Sequence, residues 1–127
     1  MLIDSNKKQR SDLQLGTHGE LLVCRQLMVQ GFTILARNYA VRGGEIDIIA
    51  RKDDTVVFVE VKTRTQHHFN LSEVITPSKK RKIALTARHY IAYNAHLFGD
   101  VLYRFDVALV CLGSNQVVSY IKNAFYG

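Results

Sequence analysis

Two apolar runs separated by a short polar segment constrain the fold of this chain more than any other feature. The first run is EIDIIA at residues 45–50, and the second is VVFVEVK at residues 56–62. Each run has the length and the apolar pattern of a strand, and the intervening RKDDT segment has the polar composition of a turn. The sequence therefore predicts a β-hairpin whose turn is centred between Asp53 and Asp54.

That turn fixes which residues face one another across the hairpin. On one face the opposed residues are all apolar, and the predicted pairs are Ile46–Val61, Ile48–Val59 and Ala50–Val57. The other face also carries charge, and its predicted pairs are Ile49–Phe58, Asp47–Glu60 and Glu45–Lys62. A slip of one residue would mix the two sets, because side chains alternate between the faces of a sheet.

The predicted opposition of Asp47 and Glu60 is the candidate functional feature. Two carboxylates with Cβ atoms roughly 5 Å apart destabilise a sheet unless positive charge lies between them. Magnesium suits such a pair, since it binds one or two carboxylates and keeps waters that leave room for phosphate oxygens. Lys62 lies on the same face and is placed to assist a metal-bound water or to stabilise transition-state charge. The alternative is a solvated face with a Glu45–Lys62 salt bridge, and the adjacent apolar pair counts against it.

The rest of the pattern predicts a single α/β domain with the element order αβββαββ. A chain of 127 residues, 47% of them hydrophobic, is long enough for one packed core. A TP dipeptide at 76–77 has the form of a helix N-cap followed by proline. The predicted segments are a helix at 17–30, strands at 32–38, 45–50 and 56–62, a helix from 76 to about 94–99, and strands at 103–112 and 116–121.

The termini and the cysteines predict domain limits and compartment. Residues 1–14 are polar and are expected to form a flexible tail, so that the domain covers 15–127. They contain no apolar stretch for a signal peptide, and no apolar run approaches the ~20 residues of a membrane-spanning helix. We therefore expect a cytoplasmic protein with no membrane partner. Cys24 and Cys111 stand alone among apolar neighbours and are expected to be reduced, buried packing residues.

The spacing of the acids resembles a known nuclease signature. Asp47 followed by Glu60-Val61-Lys62 resembles the PD-(D/E)XK pattern of restriction-endonuclease-like nucleases. The proline of that pattern is replaced by Ile46, which is also usual in the resolvase-like branch. GEIDII at 44–49 and FVEVKTR at 58–64, with GE at 19–20, RN at 37–38, RFDV at 104–107 and NAF at 123–125, resemble the bacterial YraN-like family, an uncharacterised group similar to archaeal Holliday-junction resolvases.

This resemblance implies a fold, an activity and a site. The fold would be a restriction-endonuclease-like core with a mixed β-sheet flanked by helices. The activity would be that of a Mg²⁺-dependent DNA endonuclease, with Mn²⁺ as a substitute, and a homodimer is expected by analogy with resolvases. Asp47 and Glu60 would be metal ligands, the carbonyl of Val61 a further ligand, and Lys62 the catalytic lysine. The alternative is a nucleic-acid-binding module that keeps the fold and the acids but cuts nothing.

Glu20 has two interpretations. By the resemblance, it occupies the position of a helix acid that completes the site in resolvase-like nucleases. Its spacing permits this role, because it belongs to a helical stripe directed towards the sheet, made of Glu20, Val23, Cys24 and Leu27. Thr17-x-x-Glu20 is also a capping-box pattern, in which Glu20 would bind a backbone N–H at the helix start. The two roles can overlap.

Basic residues predict a nucleic-acid partner, DNA in the first place. Lys and Arg number 17 against 11 Asp and Glu, which gives a net charge of +6. Four cations occupy the first turn of the second predicted helix, where the helix dipole disfavours them, so that phosphate binding is favoured over a merely solvated face. The predicted nucleic-acid-binding residues are Arg42, Arg64, Lys79, Lys80, Arg81 and Lys82. We assign no role to His67 and His68, and we expect Asp106 to be structural.

Overall fold

The hairpin predicted from the sequence lies at the centre of the fold. The computed structural model describes residues 2–65, 70–113 and 116–125. In it β2 (Gly44–Lys52) and β3 (Thr55–Arg64) are antiparallel and pair from Lys52↔Thr55 to Ile48↔Val59. Asp53 in the turn has a φ of 53°, a left-handed conformation that Asp tolerates better than most residues. The predicted turn and the predicted register over this stretch are confirmed.

The described strands form one five-stranded mixed sheet in the order β1–β2–β3–β4–β5. β1 (Thr33–Val41) is antiparallel to β2, and β5 (Gln116–Phe125) is antiparallel to β4 (Leu102–Cys111). β4 is parallel to β3. Because parallel neighbours need a crossover, the chain between them must leave the sheet, and it does so through helices. The prediction of a mixed α/β fold is confirmed at this level.

The helices differ from the prediction at two points. α1 covers Leu2–Val29, so the predicted helix start at residue 17 is wrong and residues 2–14, expected as a tail, belong to a helix. That segment contains neither glycine nor proline, so nothing in it stops a helix. A short α2 (Leu71–Val74) precedes α3 (Pro77–Asn94), which makes the order αβββααββ. Four residues are too few to give a periodic signal in the sequence.

The start of α3 follows its sequence signals. Thr76 is the N-cap, its Oγ1 accepts a hydrogen bond from the Lys79 backbone N–H at 3.2 Å, and Pro77 follows it in the first turn. The helix ends at Asn94, as predicted, and passes into a 3₁₀ turn at Ala95–Leu97. These contacts confirm the predicted cap and place the basic run of residues 79–82 in the first two turns of α3.

Each face of the sheet packs against one long helix. On one face lies a core cluster shared with α1, which includes Val23, Leu27, Ile48, Val57, Val59, Ala108 and Val110. On the other lies a cluster shared with α3, which includes Ile46, Ile49, Phe58, Ile83, Ala87, Tyr90 and Val107. Cys24 and Cys111 are buried and form no disulfide within the described residues, as predicted. No helix in this part of the chain combines the length and apolar character needed to cross a membrane.

Two glycines allow the helices to approach the sheet closely. A Cβ at Gly19 of α1 would collide with Thr63 Oγ1 in β3. A Cβ at Gly44, the first residue of β2, would lie 2.6 Å from the Lys82 carbonyl oxygen and would also collide with the Thr86 hydroxyl in α3. Both contacts lie at the sheet end that contains the start of β2 and the end of β3, so they fix α1 and α3 beside the predicted acids.

Candidate functional site

Pairing between β2 and β3 stops just before the predicted acid pair. The last ladder pair is Ile48↔Val59, and beyond it Asp47 Oδ2 accepts a hydrogen bond from the Val61 backbone N–H at 2.8 Å. The side-chain carboxylate thus replaces a strand carbonyl as the acceptor. The three predicted cross-strand pairs at this end, Asp47–Glu60, Ile46–Val61 and Glu45–Lys62, are therefore wrong as ladder pairs.

The alternation of β2 reverses at the same residue. Ile46 was expected on the face of Ile48, but Ile46 packs in the α3 cluster and Ile48 in the α1 cluster. On the other side of β2, the ladder with β1 runs from Arg37↔Ile48 to Tyr39↔Ile46 and skips the position between them. The β1 residue at that position is Asn38, whose φ is 52°. The regular ladder is therefore interrupted on both sides of Asp47.

Asp47 lies in the field of other acids. Burial raises the pKa of Asp47 from its ordinary 3.8 to about 8, and the neighbouring negative charges of Glu60, Glu20 and Glu45 act in the same direction. The hydrogen bond from the Val61 N–H lowers the pKa but does not cancel these effects. A carboxyl with this pKa lies where further negative charge is unfavourable and a cation is favoured.

Glu20 reaches this cluster from α1. Its side chain is 15% exposed, and Oε2 lies 3.7 Å from Arg37 Nη2. Burial raises the pKa of Glu20, with contributions from Glu45 and Glu60, against a lowering by a hydrogen bond to Asn38 and by Arg37. Because α1 begins at Leu2, Thr17 is inside the helix and the capping-box interpretation is wrong. The stripe that directs Glu20 towards the sheet is confirmed.

Two lysines flank the acids. Lys79 Nζ in the first turn of α3 lies 3.3 Å from Glu60 Oε1, and the Glu60 side chain is 14% exposed. Burial lowers the pKa of Lys62, and the positive charges of Arg64 and Lys79 lower it further. The structure therefore joins Lys79, predicted as a nucleic-acid contact, to the acid cluster. The other predicted contacts are exposed, namely Arg42, Arg64, Lys80, Arg81 and Lys82.

The side chains of the acid cluster can be compared with the ligands that a divalent cation requires. Within residues 2–65, 70–113 and 116–125, no group of three or more His, Cys, Asp and Glu side chains has the arrangement of a complete metal shell. Magnesium does not require one, because it is held by one or two carboxylates and keeps waters. Asp47 and Glu60 provide two such carboxylates, and the raised pKa of Asp47 marks negative charge that a cation would stabilise. A Mg²⁺ ion held by two carboxylates and waters would therefore use Asp47 and Glu60.

Three residues beside the acids had no predicted role. Arg37 and Asn38 contact Glu20 from β1, and their only signal was the RN dipeptide of the family resemblance. Thr63 lies at the Gly19 contact, and its Oγ1 is buried without a hydrogen-bond partner among the described residues. A lone threonine in a strand gives no signal of this kind.

Asp106 is fully buried, and hydrogen bonds from neighbouring residues hold its carboxylate. Its carboxylate accepts hydrogen bonds from Arg104 Nε and Nη2 at 2.8 and 2.9 Å, from the Tyr120 hydroxyl at 2.6 Å and from the Asn123 backbone N–H at 3.1 Å. These bonds connect β4 to β5, in agreement with the structural role expected for Asp106. His67 and His68, to which no role was assigned, lie outside the described residues.

Comparison with known proteins identifies relatives over most of the chain. A family model described as "Uncharacterised protein family UPF0102" matches residues 19–110. The UPF0102 protein of Caldicellulosiruptor bescii is 46% identical over 117 residues, which cover 88% of this chain and 97% of the relative. That of Geobacter metallireducens is 42% identical over 113 residues, which cover 87% and 91%. The family match includes Glu20, Asp47, Glu60 and Lys62.

Proposed function

The chain belongs to the UPF0102 family, and from this premise and its acid cluster we propose that it is a Mg²⁺-dependent endonuclease that hydrolyses phosphodiester bonds in DNA. Mn²⁺ is the expected substitute, and branched or junction DNA is the expected substrate class. The proposal includes the finer fold assignment, a restriction-endonuclease-like core. The family descriptions name no activity, so the support comes from the residues themselves.

One observation carries the proposal: Asp47 is half-buried next to the negative charge of Glu60, and its pKa rises to about 8. Burying carboxylates close together is unfavourable unless a cation compensates them. A perturbed titratable group beside a specific charge partner is a frequent property of functional sites. Lys79 compensates Glu60 in part, through an exposed ammonium. A bound divalent cation would compensate both acids.

Each residue of the cluster has a proposed task. Asp47 and Glu60 would hold the metal, with the Val61 carbonyl as a further ligand. The Val61 N–H orients Asp47 through the 2.8 Å hydrogen bond. A bound Mg²⁺ would supply an activated water and offset charge on the scissile phosphate. Lys62 donates a hydrogen bond to that phosphate or to the attacking water, and Glu20, oriented by Arg37, completes the negative side of the site.

The surrounding charge suits a polyanionic substrate. Lys80, Arg81 and Lys82 are exposed in the first two turns of α3, directly after the lysine that contacts Glu60. Arg64 follows Lys62 by two residues at the end of β3 and is also exposed. A phosphate backbone lying across these cations would place a phosphodiester beside Asp47 and Glu60, since opposite charges guide the chain into the site.

The test compares wild type with Asp47→Asn and Lys62→Ala on junction, flapped and plain duplex DNA, with Mg²⁺, Mn²⁺ or EDTA. Asp47→Asn removes the ionisable carboxyl group but keeps an oxygen that accepts the Val61 N–H. Asp100→Asn and Arg25→Ala are matched controls, because they remove an exposed acid and an exposed base elsewhere. We expect metal-dependent cleavage by wild type and controls, and at least about a hundredfold loss in both site variants.

The outcomes separate the candidate functions. DNA binding by wild type without cleavage under any metal condition would identify the non-catalytic binding module instead. Neither binding nor cleavage would contradict both interpretations. Cleavage that persists in Asp47→Asn would place the chemistry elsewhere on the molecule. A matched RNA substrate measures the preference for DNA.

A further inference from the structure

A cleft lies at the end of the sheet opposite the acids. Its volume is about 620 Å³, and it is lined at the end of β2 and the start of β3 by Lys52 and Thr55. Arg104 of β4 and Lys122 of β5 also line it, as do residues at the junction between α1 and β1. None of the acids of the candidate site contributes to this lining. The cleft lies where α1 ends, so the helix leaves this part of the sheet face uncovered.

Three cations from three different strands share this face. Ala50 of β2 and Tyr120 of β5 belong to the core cluster shared with α1. Lys52 lies two residues after Ala50, and Lys122 lies two residues after Tyr120. Because strand side chains alternate, Lys52 and Lys122 project on the α1 side as well. Arg104 lines the same cleft between them in the strand order. The positive charges therefore converge on one space without being neighbours in the sequence.

Arg104 is held in a fixed orientation. Its Nε and Nη2 donate to Asp106, which is 0% exposed and also accepts from the Tyr120 hydroxyl at 2.6 Å. Nη1 takes no part in this ion pair. Lys52 Nζ lies 5.9 Å from the centroid of the Phe32 ring. Within the described part of the chain, neither Lys52 nor Lys122 has a carboxylate within ion-pair distance.

The remaining lining indicates what else the ligand contains. Asp53 and Asp54 of the hairpin turn border the cleft, and Phe32 presents an apolar ring. Carboxylates accept hydrogen bonds from hydroxyl and amino groups but repel a second anion. A ligand that suits both sets of groups has a phosphate at one end and hydroxyl or amino donors at the other. A volume of this size is typical of small-molecule sites.

We propose that this cleft binds a nucleoside phosphate, with its phosphate held by Lys52, Arg104 and Lys122 and its sugar or base donors held by Asp53 and Asp54. The same chemistry has two sources, a free mononucleotide and a nucleotide unit of a nucleic-acid chain. The inference does not rest on nuclease activity, because it uses none of the acids or lysines of the candidate site.

The test is an NMR titration of backbone amide shifts with three probes: adenosine monophosphate, adenosine, and a short duplex DNA. The variant Lys52→Ala/Lys122→Ala removes two exposed cations from the cleft, and Arg25→Ala/Arg88→Ala removes two exposed cations from other surfaces. We expect adenosine monophosphate to shift the amides of Thr55, Arg104 and Lys122. Its affinity should fall by about tenfold or more in the cleft variant and stay unchanged in the control.

The probes distinguish the two sources. Tighter binding of the mononucleotide identifies the free nucleotide as ligand, and tighter binding of the duplex, with shifts in the same amides, identifies the nucleic-acid backbone. Either result supports the site. The proposal is overturned if no phosphate probe shifts these amides, if adenosine binds as tightly as its monophosphate, or if the cleft variant binds like wild type. Thermal unfolding of both double variants establishes that each remains folded.

Discussion

Lys79 Nζ lies 3.3 Å from Glu60 Oε1 and thereby joins the first turn of α3 to the acid of β3. The position of Lys79 is fixed from the other side by Thr76, whose hydroxyl accepts its backbone N–H. The helix cap, the ion pair and the acid cluster are therefore one connected unit. If Glu60 holds a metal ion as proposed, the Lys79 ammonium would compete for the same carboxylate oxygen.

This competition predicts that Lys79→Ala binds Mg²⁺ more tightly than wild type. The Lys79 side chain is 42% exposed, so solvent weakens its ion pair with Glu60. The increase in Mg²⁺ affinity should therefore be at most about fivefold. Calorimetric titration with Mg²⁺ in the absence of DNA measures it. Lys80→Ala is the matched control, since it removes the next, exposed lysine and should leave the affinity unchanged. Equal affinities of wild type and Lys79→Ala would show that the ammonium does not compete.

The raised pKa of Asp47 predicts a pH-dependent stability of the metal-free protein. The folded state binds the Asp47 proton more tightly than the unfolded chain, so this contribution is complete below about pH 4 and is lost as the pH rises to about 8. At about 1.4 kcal/mol per pKa unit, the free energy of unfolding should fall by a few kcal/mol over that range. Urea unfolding at several pH values measures the slope.

Asp47→Asn should remove most of this slope, because an amide does not titrate and still accepts the Val61 N–H. Above about pH 8 the variant should be more stable than metal-free wild type. Adding Mg²⁺ should stabilise wild type there and leave the variant unaffected. The Asp100→Asn control should show the same pH dependence of unfolding free energy as wild type. If Asp47→Asn showed that pH dependence too, the raised pKa of Asp47 would be contradicted.

The contact of Gly19 with Thr63 predicts that Gly19→Ala destabilises the protein, although alanine favours helices. Its methyl group would collide with Thr63 Oγ1, which should cost about 1–3 kcal/mol. Gly16→Ala in the same helix meets nothing within 4 Å and should be stabilising by about 0.5–1 kcal/mol. Chemical unfolding compares the two. The double variant Gly19→Ala/Thr63→Ala should regain part of the lost stability. Equal stabilities of Gly19→Ala and Gly16→Ala would rule out the close approach of Gly19 to Thr63.

The hydrogen bond from Tyr120 to Asp106 predicts a loss of stability in Tyr120→Phe. The bond is 2.6 Å long and its acceptor is fully buried, so its removal should cost about 1.5–3 kcal/mol. Tyr93→Phe, at an exposed position, should change little. Unfolding midpoints give the difference, and faster amide exchange in β5 should accompany it. A midpoint equal to wild type would mean that the hydroxyl is hydrogen-bonded equally well to water.

The parts of the fold that the sequence predicted are those set by local chemistry. The hairpin follows from strand alternation and from an Asp-Asp turn, and its register holds from Ile48 to Lys52. The cap of α3 follows from a Thr-Pro pair, which needs no distant partner. Convergence of Asp47 with Glu60 was also predicted, since both acids belong to the same hairpin.

The parts that the sequence did not predict depend on distant contacts. The β2–β3 ladder stops before Asp47, whose side chain accepts the Val61 N–H, and no pattern of apolar residues predicts such a bond. The Thr17-x-x-Glu20 pattern matched a capping box, but a motif at a helix start is indistinguishable from the same letters inside a longer helix. Lys79 and Arg37 reach the acids only through the packing of α3 and β1 against β2 and β3.

The parallel pairing of β3 with β4 has a consequence for the order of folding. β2 and β3 close through a two-residue turn, whereas β3 and β4 meet only after the chain has passed through two helices. Local contacts form faster than contacts between distant segments, because less loop entropy is lost. We therefore expect the hairpin that carries Asp47 and Glu60 to form before α3 brings Lys79 to them. Until α3 has packed, positive charge beside these acids would come from solvent ions and from Lys62 of the same strand.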